Sequence, residues 1–160
     1  MPKKMIFSEL ERISIYEKRV QLEKVKNGTL KPKELADIIT KRRLKWFEEN
    51  GKRILSTYNG LLDVEKAYKL LVINHMQINS NDSKIKIISQ GLLRFDSYNF
   101  CPYLIACNIL KLDTKFICKE IGEPSIQAFI KQINPRLRFS RNYEYIRPYS
   151  HYCEEYFHLD

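Results

Sequence analysis

The chain has 160 residues, 44% of them hydrophobic, and its 28 lysines and arginines outnumber its 19 aspartates and glutamates for a net charge of +9. That length suits one core, alone or with a helical arm, and argues against a two-domain enzyme; ten tyrosines and eight phenylalanines argue against wholesale disorder. Apolar runs such as 102–110 fall well short of the roughly 18 residues that span a bilayer, and the N-terminus lacks an apolar h-region, so the reading is a soluble cytoplasmic protein with no membrane partner.

Ser8 and Glu11 stand at capping-box spacing, which predicts a helix from about residue 9 to Asn27 that stops at Gly28, with Leu10, Ile13, Tyr16 and Val20 on its inner face. Pro32 opens a second helix, in which Leu35, Ile38, Ile39, Trp46 and Phe47 recur at helical spacing and Asn50-Gly51 ends or kinks the run. Asp63 caps a third, with Val64, Ala67, Tyr68 and Leu71 as its stripe. After a turn at 79–83 the period changes to two. Ile85 and Ile87 alternate with lysines, and Leu93 and Phe95 resume the alternation after Gly91, which predicts one long bulged strand. Helices over 102–112 and 124–133 follow. Two further strands are marked by Leu137, Phe139, Tyr143 and Tyr145, and by Cys153, Phe157 and Leu159. The fold class is therefore α+β: a helical N-terminal half followed by a small three-stranded antiparallel sheet packed on helices. It divides into a basic helical arm, 1–45, and a cysteine-containing domain, 46–160.

The charge is uneven. Residues 1–53 hold 15 basic and 8 acidic side chains, whereas residues 84–160 hold 11 and 8, so most of the excess belongs to the arm. Its densest run is Lys41, Arg42, Arg43 and Lys45, a candidate contact for nucleic acid or a protein partner. The bland alternative is a solvated helix face, and no zinc-finger, RNP or helix-turn-helix pattern accompanies the run.

Four cysteines lie in the second half, at C-x5-C-x10-C-x34-C spacing, with no CxxC pair. Cys101 precedes Pro102 at a helix N-cap, where free amides favour a thiolate. Cys107 lies among Ile105, Ala106, Ile109 and Leu110 and reads as core. Cys118 has Lys119 beside it, and Cys153 lies in the last strand with His151 on the same face. Cys101, Cys118 and Cys153 are thus a candidate metal site for zinc or an iron–sulfur cluster; alternatively Cys101 is a nucleophile with His151 as its base. Arg141 and Arg147, with Arg138 nearby, are candidates for binding a substrate carboxylate, and Tyr143 belongs to an aromatic hairpin suited to a pocket wall or to packing. P-loop, GxGxxG, GxSxG and HExxH patterns are absent.

The segments Cys101-Pro102-Tyr103, Phe116-Ile117-Cys118-Lys119, Gly122-Glu123, Ala128-Phe129, Ile133-Asn134-Pro135 and Tyr152-Cys153-Glu154 through Phe157 carry a resemblance. They resemble the C-terminal part of the L-2-amino-thiazoline-4-carboxylic acid hydrolase-like proteins. They are closer to a related uncharacterised prokaryotic three-cysteine family with C-P-[YW]-x3-A/C, then x-C-K, then a final C-x-[WEF]-x-F. The resemblance runs from about Trp46 onward and implies that Cys101, Cys118 and Cys153 act together, with hydrolysis of a C–N bond as the reaction. The combined expectation is a small-molecule-acting protein with a three-cysteine metal or reactive-thiol site. The alternative is a non-catalytic small-ligand sensor or adaptor whose basic arm binds nucleic acid or a protein.

Overall fold

A computed structural model describes residues 6–160 of the chain. The start of the N-terminal stretch read for an h-region lies outside them. Helix α1 (Glu9–Lys26) begins at the predicted capping box: the Glu11 amide donates to Ser8 Oγ at 3.1 Å, and the Ser8 amide donates to Glu11 Oε1 at 2.9 Å. Its buried face is not the predicted one. Ile15 and Leu22 are buried, while Leu10, Ile13 and Tyr16 are exposed, because the helix lies against a distant element, α5 (Pro102–Leu110), whose position no local pattern records.

Helix α2 (Pro32–Trp46) runs through a π-helical turn, Phe47–Gly51, into the short α3 (Lys52–Leu55). Helix α4 (Asp63–Ala67) takes Asp63 as its first residue rather than its cap, and continues as π-helical turns over Tyr68–His75. The region after α5 is more helical than its sequence predicts. Asp113 caps α6 (Thr114–Ile117), a π turn spans Cys118–Gly122, and α7 (Glu123–Lys131) follows without a break. Such turns insert a residue into the helical register and are frequent at functional sites.

The sheet has four antiparallel strands instead of three, in the order β1-β2-β4-β3: β1 (Ser83–Ser89), β2 (Leu92–Ser97), β3 (Leu137–Asn142) and β4 (Cys153–Leu159). The predicted long strand folds back at Gln90-Gly91 into a β1/β2 hairpin, with the register shift between Ile87 and Ser89. Gly91 is required there, since a Cβ would stand 2.9 Å from the Leu159 carbonyl oxygen while the Leu159 amide donates to Gly91 O at 2.8 Å. Strand β3 stops at Asn142, whose carbonyl accepts from the Tyr145 amide and turns the chain before the predicted end.

One sheet face is covered. Leu93, Phe95, Leu137, Phe139 and Phe157 pack against Phe47, Val64, Leu70, Leu71, Phe129 and Ile130 to form the larger core. A second core joins Leu22, Leu35 and Ile39 to Ala106, Cys107, Ile117 and Ile121. The stretch read as a basic arm therefore supplies two helices that share a core with α5 and the α6 region. Among the described residues no helix is long and apolar enough to cross a membrane.

Candidate functional site

Alternation along the strands sets the floor of the site. The residues that continue the inward parity of Leu93, Phe139 and Phe157 toward one end of the sheet are Phe95 and Ser97 on β2, Arg141 on β3, and Cys153 and Glu155 on β4. Ser97 lies opposite Cys153, and Glu155 lies between Phe95 and Arg141. The helices complete a cavity of about 130 Å³ over this floor, where the two cores meet, and Cys101, Cys118 and Cys153 all line it. Cys107 is buried in the helical core and is not part of the lining.

Each cysteine arrives from a different element. Cys101 is the N-cap of α5, as its position before Pro102 predicts, but the expected thiolate preference is outweighed: burial pushes the thiol pKa up, against the Leu104 amide and Arg147, which act the other way. Cys118 opens the π turn between α6 and α7, and burial, opposed by Arg141, pushes it up to about 12. Cys153 is the first residue of β4, and its Sγ accepts from the Arg147 backbone amide at 3.5 Å and from Arg147 Nε at 3.4 Å. Arg147 Nη1 also donates to the Asn99 carbonyl at 2.5 Å, and its own carbonyl accepts from Thr114 Oγ1 at 2.7 Å, which ties this loop to α6.

Two further arginines line the cavity. Arg141 donates from Nη2 to Glu155 Oε1 at 2.5 Å, and its guanidinium lies over the rings of Phe139 and Tyr143, 5.4 and 5.9 Å from their centroids. Burial works against its charge, but the Glu155 carboxylate more than offsets this, and the group is held protonated. Its Nε is buried without an acceptor. Ser97 Oγ donates to the other Glu155 oxygen at 2.9 Å. Arg43 does not join the exposed basic run predicted for it. It turns inward from α2, lines the cavity and donates from Nε to Ser125 Oγ at 2.9 Å, and burial lowers its pKa.

The remaining predicted residues lie elsewhere. His151 is exposed in the bend before β4, beside Tyr145 and Tyr149, because the strand begins only at Cys153; it does not reach the cavity or Cys101. Tyr143 packs its ring on Arg141 but is not in the lining. Lys41, Arg42 and Lys45 remain on the exposed side of α2, with Lys45 Nζ 3.8 Å from Glu49. Arg138 pairs with Asp160 at the exposed edge of β3.

Sequence reasoning missed Glu155 and grouped Arg43 with the exposed basic run, although both carry a periodic signal. Arg43 extends the Leu35 and Ile39 stripe by one more step of four, and Glu155 occupies the inward position between Cys153 and Phe157. Chemically the site joins three soft sulfur donors to three guanidinium groups and one carboxylate. Among the described residues no three or more His, Cys, Asp or Glu side chains are gathered closely enough to hold a metal ion. The three thiols share one cavity. In comparisons with known proteins, no family model, no curated protein and no solved structure matches the chain.

Proposed function

We propose that the protein binds a small molecule in this cavity and acts on it through a thiolate-held metal centre of Cys101, Cys118 and Cys153. The observation that supports this reading is the partition of the cysteines: three, from α5, the α6–α7 π turn and β4, line one cavity with Arg43, Arg141 and Arg147, and the fourth does not. Loss of solvent around Cys101 and Cys118 favours their protonated thiols, and a thiophilic metal reverses that preference. The guanidinium groups of Arg141 and Arg147 offset the negative charge that three thiolates bring.

Three thiolates suit zinc or an iron–sulfur cluster. A zinc ion draws each thiolate to about 2.3 Å from a single point. An iron–sulfur cluster takes each thiolate on a separate iron, and either centre suits three soft donors. With three protein ligands such a centre keeps an open position and supplies Lewis-acid chemistry when bound. The reaction class inferred, hydrolysis of a C–N bond, rests on the resemblance of the cysteine segments to the thiazoline carboxylate hydrolase-like proteins. A Cys101 nucleophile is the weaker reading, since the cavity lining contains no histidine to serve as its base.

Anaerobic purification followed by iron, sulfide and zinc analysis with visible absorption tests the proposal. The expected result is stoichiometric metal in the native chain, lost in Cys118→Ala and kept in Cys107→Ala. A metal-free native protein, or metal retained by Cys118→Ala, would overturn it.

A further inference from the structure

Three guanidinium groups line the cavity against one carboxylate, and that carboxylate is already engaged. Glu155 accepts from Arg141 on one oxygen and from Ser97 on the other. Arg147 directs Nε to Cys153 and Nη1 to Asn99. Arg43 has a single hydrogen bond, to Ser125, and among the described residues it makes no ion pair. Arg141 has a buried Nε with no acceptor. Unused N–H donors therefore face one cavity from α2 on one wall and β3 on the other.

A half-buried guanidinium without a counter-ion is costly, and a position that continues the Leu35 and Ile39 stripe would be filled more stably by an apolar residue. An oxyanion that accepts from both arginines would remove that cost, because a guanidinium offers parallel donors matched to carboxylate and phosphate oxygens. The rest of the lining is mostly apolar, with Leu71, Val72, Ile78, Ile121 and Ile126 among it. Further positive charge stands outside: Lys18 Nζ on α1 lies 5.2 Å from the centroid of the Tyr103 ring, which forms part of the wall.

We propose that the ligand is a small molecule with an oxyanion group, a carboxylate or a phosphate, which docks between Arg43 and Arg141 while the three thiols face the remainder of the molecule. The inference rests on the reading of this cavity as a small-molecule site. It adds a polarity: the anionic end lies toward α2 and β3, and the bond to be acted on lies toward Cys101 and Cys118.

The test is thermal melting of the full chain in sodium acetate, sodium phosphate and sodium chloride at matched ionic strength, with Arg43→Gln and, as a surface control, Arg42→Gln. One of the oxyanions is expected to raise the melting temperature of the native chain and of Arg42→Gln by several degrees over chloride. A response to acetate alone identifies a carboxylate, and a response to phosphate alone a phosphate. In Arg43→Gln the response is expected to vanish. In chloride this variant should melt no lower than the native chain, since glutamine can still donate to Ser125 without carrying a half-buried charge. A native chain that distinguishes neither oxyanion from chloride, or a response that survives in Arg43→Gln, would overturn the inference. If Arg43→Gln does not fold, Arg43→Lys keeps the charge but loses the planar fork, and calorimetry should then show the effective anion bound roughly tenfold or more weakly; unchanged affinity would overturn it. The anion response of Cys118→Ala separates the two proposals. Metal lost with the response intact leaves the oxyanion site standing, and metal bound in a chain that never responds to an oxyanion refutes the oxyanion site alone.

Discussion

Cys107 and Cys118 are both pushed up to about 12 by burial, yet only Cys118 has a guanidinium, that of Arg141, acting against the shift. His75 shows the same balance with the opposite charge type. It packs against Trp46 and Phe129, with ring centroids 4.6 and 5.3 Å away, its Nδ1 has no partner, and burial, reinforced by Arg43, lowers its pKa to about 4. The unfolded chain protonates this residue near 6.5, so between that value and about 4 the unfolded state binds the extra proton. Its contribution to stability is therefore complete above pH 6.5 and is lost as the pH falls toward 4. Melting curves across that window should show a smaller loss of stability for His75→Phe, which keeps an aromatic ring against Trp46 and Phe129; an identical pH dependence would contradict this account. At this scale much of the site was legible. Cys101 announces itself by preceding Pro102, and Cys107 by its apolar neighbours. Arg43 was misread because a charge run suggests solvent, although its spacing from Ile39 places it on the inner stripe. His151 was misread because parity with Cys153 matters only while the strand lasts, and β4 begins after it.

Helix ends were easier to read than helix faces, since a cap is local and a packing partner is not. The capping box of α1 is written in Ser8 and Glu11, whereas the choice of Leu22 over Leu10 for burial depends on α5, about 80 residues away in sequence. Leu22 is 0% exposed and Leu10 is 80% exposed. Urea unfolding should show Leu22→Ala losing about 2–5 kcal/mol and Leu10→Ala changing by less than about 0.5 kcal/mol. Equal, small effects would mean that α1 is a loosely attached arm. Two features escaped the sequence for geometric reasons. Strict alternation does not record a reversal of direction, so the β1/β2 hairpin looked like one strand. The π turn at Cys118–Gly122 breaks the 3.6-residue period, and the helical stretch from α6 to α7 was therefore read only from Pro124 onward.

The whole molecule joins two cores, one between the sheet, α4 and α7 and one among α1, α2, α5 and the α6 region, and the cavity occupies the seam between them. That placement explains why residues spread from 43 to 155 meet there, and why charge counted along the chain was a poor guide: one arginine of the N-terminal run faces inward while its neighbours remain in solvent. The central claim is that Cys101, Cys118 and Cys153 form one thiol site and Cys107 is apart from it. Titration of the reduced full chain with cadmium, followed in the ultraviolet sulfur-to-metal charge-transfer band, tests this directly. The account predicts saturation at one ion per chain, a band weakened by Cys101→Ala, Cys118→Ala and Cys153→Ala, and no change for Cys107→Ala. A chain that gives no band, or a band that depends on Cys107 as much as on the other three, would contradict it.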